Sequence, residues 1–562
     1  MIVLQCKNCF KTYKITDTDL EFYKKIQVPY PTLCPNCRAQ RRLAYRNERS
    51  LYTTKCALCN KTVISNYSPD KPNPVYCYDC FYSDKWDARS YGQEFDFQKS
   101  FFTQFNELQQ KVPKLNLIKS NCENCDYINL VADSKNCYLI FGSIVCEDCY
   151  YGNPFYCKNC VDSLLIHNCE LCYECITSEN LYHCMYCQDC YNSHDLLYCY
   201  DCRSCQDCIG CAGLRNKRFY IFNKEYSEVE FIKRKKELNL CDPEKKEYIE
   251  KYFEITKAKH PRRFMIGAHN EKVTGNYINS SSNAFHCFDS RRGENIKYCE
   301  QILDFKDSYD IANVENAELC YEVSAGYKIN RCRFSDFIWE GYNLDYCDYC
   351  NNNHDLFGCI SMLKKSFCIL NKQYTEEEYK KIKEKIINQM QRRPSTSSGP
   401  SEWGEFFPIT NSNFSYNETV AQEYYPIKEE NAREKNWPWK AKEVKDYQPQ
   451  KYRVLLDIQK VQDNIGQATL ACSNCYKNYK IIPQELAFYK KENLPIPKLC
   501  PDCRHQARMQ LRTPRSLWQR QCMCTQPDHN HQGRCSNEFE TTYSPERKEL
   551  VYCEDCYNRE IY

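Results

Sequence analysis

Glycine is scarce, with 15 residues in a chain of 562. Phosphate-wrapping loops need turns and close approaches that glycine makes most cheaply, so the shortage argues against a nucleotide-binding fold, and no P-loop occurs. Long apolar runs are also missing. Nothing approaches the roughly 20 residues of a membrane span. The opening MIVLQCKNCFKTYK has no basic stretch followed by an apolar one, so no secretory leader is expected. Histidine is limited to 10 residues with no ligand-spaced set, and neither HExxH nor GxSxG is present. Charge of one sign is absent too: 77 basic residues face 74 acidic ones, so no global field steers the protein onto nucleic acid. These absences point to a cytosolic protein with reduced thiols and no membrane association.

What is abundant is cysteine, 44 residues in all. In a reducing compartment repeated CxxC reads as metal binding before it reads as disulfide. The first 83 residues hold four CxxC pairs: Cys6/Cys9, Cys34/Cys37, Cys56/Cys59 and Cys77/Cys80. CKNCFKTYKITDTDLEFYKKIQVPYPTLCPNCRAQRR from Cys6 aligns without a gap with CSNCYKNYKIIPQELAFYKKENLPIPKLCPDCRHQAR from Cys472. The match marks an internal duplication and pairs the first tetrad with Cys472, Cys475, Cys500 and Cys503. The second module repeats as Cys522, Cys535, Cys553 and Cys556 after a ten-residue insertion containing His529 and His531. That insertion leaves Cys524 spare, and Cys524 or His531 in place of Cys522 stays open. Four thiolates on two knuckles suit a tetrahedral zinc ion. Metal binding of order 10 kcal/mol would stabilise modules too small to bury a core. About four structural zinc sites are expected. Thr16 or Pro483 opens a short helix ending FYKK, and the last CxxC leads into an Arg-rich helix whose N-terminal dipole favours thiolates.

These first modules resemble a zinc-ribbon, treble-clef-like family marked by CxxC, an FY-containing helix and CPxCR. The whole chain is similar to large multi-CxxC proteins of bacteria, some of which carry a CoA-transferase (CaiB/BaiF) label. The Cys-rich repeats do not look like the doubly wound enzyme that this label implies.

Between the modules, CELCYECITSENLYH, CMYCQDCYNSHDLLY and CYDCRSCQDCIGCAG, starting at Cys169, stack in three cysteine columns at a period of fifteen. Such a period suits one rung of a β-solenoid. A second copy follows at one constant offset: AELCYE from Ala317 matches CELCYE from Cys169, and FGCISMLKKSFCILNKQYTEEEY from Phe357 matches IGCAGLRNKRFYIFNKEYSEVEF from Ile209. In that copy Cys169, Cys175, Cys187, Cys190, Cys205 and Cys208 become Ala317, Val323, Ser335, Ile338, Asn353 and Leu356. Apolar residues are not ligands, so the central sulfurs read as an inward core ladder. Scattered metal sites, iron–sulfur ligation and disulfides are the alternatives.

The expected architecture is multidomain and β-rich, with small α+β zinc modules at both ends flanking a duplicated Cys-rich solenoid with capping helices. Its parts are residues 1–83 (paired modules), 84–118 (connector helix, from FQKSFFTQFNELQQKV), 119–260 and 261–392 (the two cassettes), 393–465 (the linker RRPSTSSGPSE and an unassigned segment) and 466–562 (paired modules). Capping boxes at Ser227/Glu230 and Thr375/Glu378 announce helices over about 228–258, broken at Pro243, and about 376–391.

The expected function is a non-catalytic zinc-binding scaffold with a protein partner. Nucleic-acid binding is the alternative, through Arg38, Arg41, Arg42, Arg46, Arg504, Arg508 and Arg512, joined by Arg49 and Arg515, with Lys24/Lys25 and Lys490/Lys491 nearby. An iron–sulfur or redox protein ranks lower.

Overall fold

A computed structural model describes residues 1–312, 320–326, 329–392, 401–441 and 446–562. The first three residues of the AELCYE match, from Ala317, and most of the RRPSTSSGPSE linker lie outside these residues. The molecule is strand-rich and multidomain, and two large sheets dominate it. The first has ten strands in chain order, from Lys119–Glu123 to Lys224–Glu225. The second has twelve strands, from Gly267–Ala268 to Lys372–Gln373. Neighbouring strands are parallel except at the end of each sheet, where Arg218–Ile221 and Ser366–Ile369 turn back into antiparallel hairpins.

Register gives the repeat. Glu179 pairs with Tyr191, His194 with Gln206 and Gln206 with Arg218, and in the second sheet Phe288 pairs with Glu300 and Tyr321 with Arg333. Side chains stack at the same spacing: Asn180 Nδ2 donates to Asn192 Oδ1 at 2.8 Å and Asn283 Nδ2 to Asn295 Oδ1 at 3.0 Å, each 12 residues apart. The period is therefore twelve, not fifteen. Cysteines fall three apart, and both numbers are multiples of three, so the columns line up at either period. Only backbone pairing separates them.

The backbone turns at a matching rhythm. From Tyr156 to Asp207 every third residue has positive φ, and half of these residues are Asn or Asp. Those two reach the left-handed region more readily than other side-chain-bearing residues. The scarcity of glycine thus did not mean a scarcity of left-handed backbone.

The sulfurs face inward. Cys175, Cys187, Cys199 and Cys211 form one buried column. Their thiols are not idle: Cys175 Sγ lies 3.3 Å from the Cys184 carbonyl oxygen, and Cys157 Sγ accepts the Cys169 N–H at 3.4 Å. Serine does the same work, since Ser178 Oγ accepts from Cys190 N–H and Ser335 Oγ from Cys347 N–H, both at 3.1 Å. This explains why sulfur exchanges with hydroxyl as well as with apolar groups between the copies. The described cysteines are free thiols, and among the described residues no central cysteine belongs to a group placed to hold an ion. Replacing Cys169 by Ala or Cys175 by Val, the residues of the second copy, should shift stability by no more than about 1–2 kcal/mol and leave the metal content unchanged. Thermal melts with metal analysis check both.

Each sheet ends against helices. Ser227 and Glu230 cap Glu228–Glu237, Asp242 caps Pro243–Lys259, and Thr375 with Glu378 caps Glu376–Arg392. Buried Phe231, Tyr379, Ile386 and Met390 seat them. The connector is a short helix, Phe101–Gln109, capped by Ser100, and its Phe101 and Phe105 rings pack on Tyr346 and Phe407. In the segment without an expected fold, residues 401–441 form a strap. Trp403, Phe406, Phe407 and Tyr416 are buried, and the Tyr45 hydroxyl donates to the Pro408 carbonyl at 2.6 Å.

Candidate metal centres and arginine clamps

The four terminal modules share one construction. A two-stranded hairpin carries the first ligand pair: Ile2–Gln5 with Thr12–Ile15, Tyr52–Lys55 with Thr62–Ser65, Leu470–Ala471 with Asn478–Tyr479, and Trp518–Gln521 with Glu538–Thr541. A helix carries the second pair, and its N-cap is a cysteine each time: Cys34 before Pro35–Leu43, Cys77 before Tyr78–Phe81, Cys500 before Pro501–Gln510 and Cys553 before Glu554–Ile561. The hairpin turns are alike as well. The N–H groups of Cys6, Cys56 and Cys472 donate to the carbonyls of Lys11, Lys61 and Lys477, while Phe10, Asn60 and Tyr476 take positive φ to close the knuckle.

This brings together every cysteine expected as a ligand: Cys6, Cys9, Cys34 and Cys37; Cys56, Cys59, Cys77 and Cys80; Cys472, Cys475, Cys500 and Cys503; Cys522, Cys535, Cys553 and Cys556. In each set the sulfurs lie within 4.8 Å of one another. Cys9 and Cys34 are 3.7 Å apart, Cys59 and Cys77 3.8 Å, and Cys475 and Cys500 3.6 Å. A tetrahedron with metal–sulfur bonds of about 2.3 Å has edges of about 3.8 Å, so the sets fit a zinc-sized ion. In each set one thiol is brought down, Cys6, Cys56, Cys472 or Cys553, while burial pushes others such as Cys80, Cys500 and Cys556 up. Cys34 and Cys77 N–H groups point at Cys6 and Cys56 Sγ at 3.3 Å. Burial pushes the Cys56 thiol up, but backbone N–H groups of Cys77, Cys59 and Leu58 outweigh it and bring it down to about 6. Cys472 also falls to about 6, held there against burial by N–H groups of Cys475, Cys500 and Asn474. Cys522 belongs to the fourth tetrad. Cys524 and His531 stand instead with His529 beside Cys556.

Compared with protein-family models, curated proteins and solved structures, the chain matches none. The resemblance to zinc ribbons therefore rests on these cysteine clusters, which are compatible with such modules.

The arginines after CPxCR are not an exposed basic face. Arg38, Arg42, Arg46, Arg504, Arg508 and Arg512 are buried, as is Arg41. Arg38 Nε and Arg42 Nη1 both donate to Asp310 Oδ1, at 2.8 and 3.0 Å, and Arg41 reaches Glu322 at 2.5 Å and Glu405 at 2.7 Å. Burial works against the charged Arg38, yet the Asp310 carboxylate holds its guanidinium above the ordinary value. Arg46 pairs with Glu48 at 2.5 Å. In the other copy, Arg504 and Arg508 each lie 3.0 Å from Asp162, and Arg508 is also 3.0 Å from Glu174. Arg512 and Arg515 share Asp289, and Arg515 reaches Glu300 at 3.0 Å. Unpaired guanidinium groups cannot be buried without large cost, so carboxylates meet them.

Sequence reasoning missed these carboxylates. One signal was present: Asp162 and Glu174 recur as Asp310 and Glu322 at the offset that turns Cys169 into Ala317. The acids persist where neighbouring cysteines change. The docking is crossed. Through equivalent acids, helix Pro35–Leu43 grips the second sheet and helix Pro501–Gln510 grips the first, while Arg512 and Arg515, just past that helix, tie the C-terminal end to the second sheet as well.

Proposed function

We propose that the chain is a non-catalytic, zinc-stabilised scaffold. Two β-solenoids of twelve-residue coils, each with four three-residue sides, are locked together by zinc-ribbon-like modules that dock across one another. The result is a stiff surface offered to a partner protein in the cytosol. The crossed arginine–carboxylate contact carries this reading: the helix that supplies two sulfurs of a tetrad also supplies the guanidinium groups that hold the opposite sheet. Folding of the metal module and docking of the sheet are then one event. Closed four-cysteine sites leave no position for water or substrate, which favours architecture over catalysis. The arginines that pointed to nucleic acid are engaged by carboxylates.

Protein purified without oxygen should be colourless and hold at least four zinc ions per chain, one for each four-cysteine group. Stoichiometric iron with visible absorption bands would overturn this function and favour electron transfer.

A further inference from the structure

We infer that the insertion in the last module builds a second metal site, with two cysteines and two histidines as ligands, joined to the four-cysteine site through Cys556 as a bridging thiolate. It rests on the zinc reading above only in taking Cys556 to be a ligand already.

The N-terminal counterpart has two residues, Ala57 and Leu58, between its knuckle cysteines, neither able to bind metal. The loop between Cys522 and Cys535 is ten residues longer and contains Cys524, His529 and His531. It folds back on the site. Cys535 N–H donates to the Cys524 carbonyl at 3.0 Å, Arg534 Nε to the Cys522 carbonyl at 2.9 Å, and Gln521 Nε2 to the Cys535 carbonyl at 3.0 Å. As a result, ligand atoms of Cys524, His529, His531 and Cys556 gather within 4.8 Å of one another, while Cys556 remains in the Cys522, Cys535, Cys553 set.

The imidazoles are poised for metal. His529 Nδ1 is 3.1 Å from Cys524 Sγ, and His531 Nε2 is 3.5 Å from Cys556 Sγ. Bonds of about 2.3 Å to sulfur and 2.0 Å to nitrogen put S and N about 3.5 Å apart on a tetrahedral ion. The opposite nitrogen of His531 has an acceptor, its Nδ1 lying 2.9 Å from the Gly533 carbonyl, while His529 Nε2 faces a Glu560 carboxylate oxygen at 3.8 Å, beyond hydrogen-bond reach. Metal-binding histidines are held as His531 is, one nitrogen donating its proton to an oxygen and the other presenting a lone pair to the ion. Cys524 is fully buried and His529 nearly so. Charge agrees with two ions. Five thiolates with neutral imidazoles leave one net negative charge on two dications, whereas one dication with the same five would leave three.

Native mass spectrometry of the full chain loaded with zinc, and EPR spin counting after cobalt(II) exchange, test the pair. Five ions per chain are expected, one for each ligand group. Coupling through the shared sulfur should silence two cobalt spins. The His529→Ala, His531→Ala variant should hold four ions, all EPR-active, with unchanged circular dichroism. Four ions in the parent chain would overturn the second site and leave the scaffold standing. Five ions with five uncoupled spins would overturn the bridge. Far fewer than four would overturn the scaffold's zinc sites as well.

Discussion

Breaking the first four-cysteine set should loosen the second sheet around Asp310 and Glu322 and leave the first sheet closed around Asp162 and Glu174. The variant Cys34→Ser, Cys37→Ser removes half of one ligand set and with it binding energy of order 10 kcal/mol. The helix Pro35–Leu43 is far too short to persist by itself. When it melts, Arg38, Arg41 and Arg42 withdraw, and Asp310 and Glu322 lose the cations that face them. Hydrogen exchange should then accelerate in strands Glu300–Ala312 and Tyr321–Gly326, which carry those acids. Exchange around Asp162 and Glu174 should stay slow, because Arg504 and Arg508 hold them from the other module. Cys500→Ser with Cys503→Ser should instead speed exchange around Asp162 and Glu174, and also around Asp289 and Glu300, where Arg512 and Arg515 let go. Chelating the metal from all the four-cysteine sets should deprotect both sheets and lower the melting temperature steeply. Fast exchange around Asp162 and Glu174 in the Cys34 and Cys37 serine variant, or no deprotection by either pair of serines, would contradict crossed docking of the two helices.

Replacing Asp310 by Ala should cost about 3–5 kcal/mol, because removing one member of a buried ion pair leaves uncompensated charge inside the protein. Here one carboxylate oxygen serves two guanidinium groups, Arg38 and Arg42, and all three side chains are buried. Asp162→Ala should cost a similar amount, since Arg504 and Arg508 converge on it at 3.0 Å. The two losses should add, as the sites share no partner. Asp304, on the same strand as Asp310, offers a control. Its pair with Arg292 is about half exposed, so Asp304→Ala should cost less than about 1 kcal/mol. Thermal denaturation of the three variants, at fixed zinc and under reducing conditions, measures the contrast. An Asp310 variant as stable as the Asp304 variant would show that the modules are tied down by something other than these arginines.

Much of the metal chemistry was legible along the chain. CxxC fixes two sulfurs on one turn whatever surrounds it, so Cys6, Cys9, Cys34 and Cys37 could be grouped by spacing, and the gapless match to Cys472 doubled the inference. Capping boxes at Ser227 and Thr375 were readable for the same reason, being local bonds over three residues. The arginines were misjudged because exposure is not a local property. Arg38 and Asp310 lie 272 positions apart, and nothing near Arg38 in sequence tells that a carboxylate will cover it. The period was misjudged because three divides both twelve and fifteen.

By itself the sequence determined which sulfurs can share an ion and which fill space, since ligand spacing is written over a few residues and the second copy swaps only the filler. The tertiary structure alone decided which module grips which sheet, and that the insertion's imidazoles meet Cys556. Both depend on where distant segments come to rest, where burying a charge or a lone pair is tolerated only if its partner arrives from elsewhere in the chain.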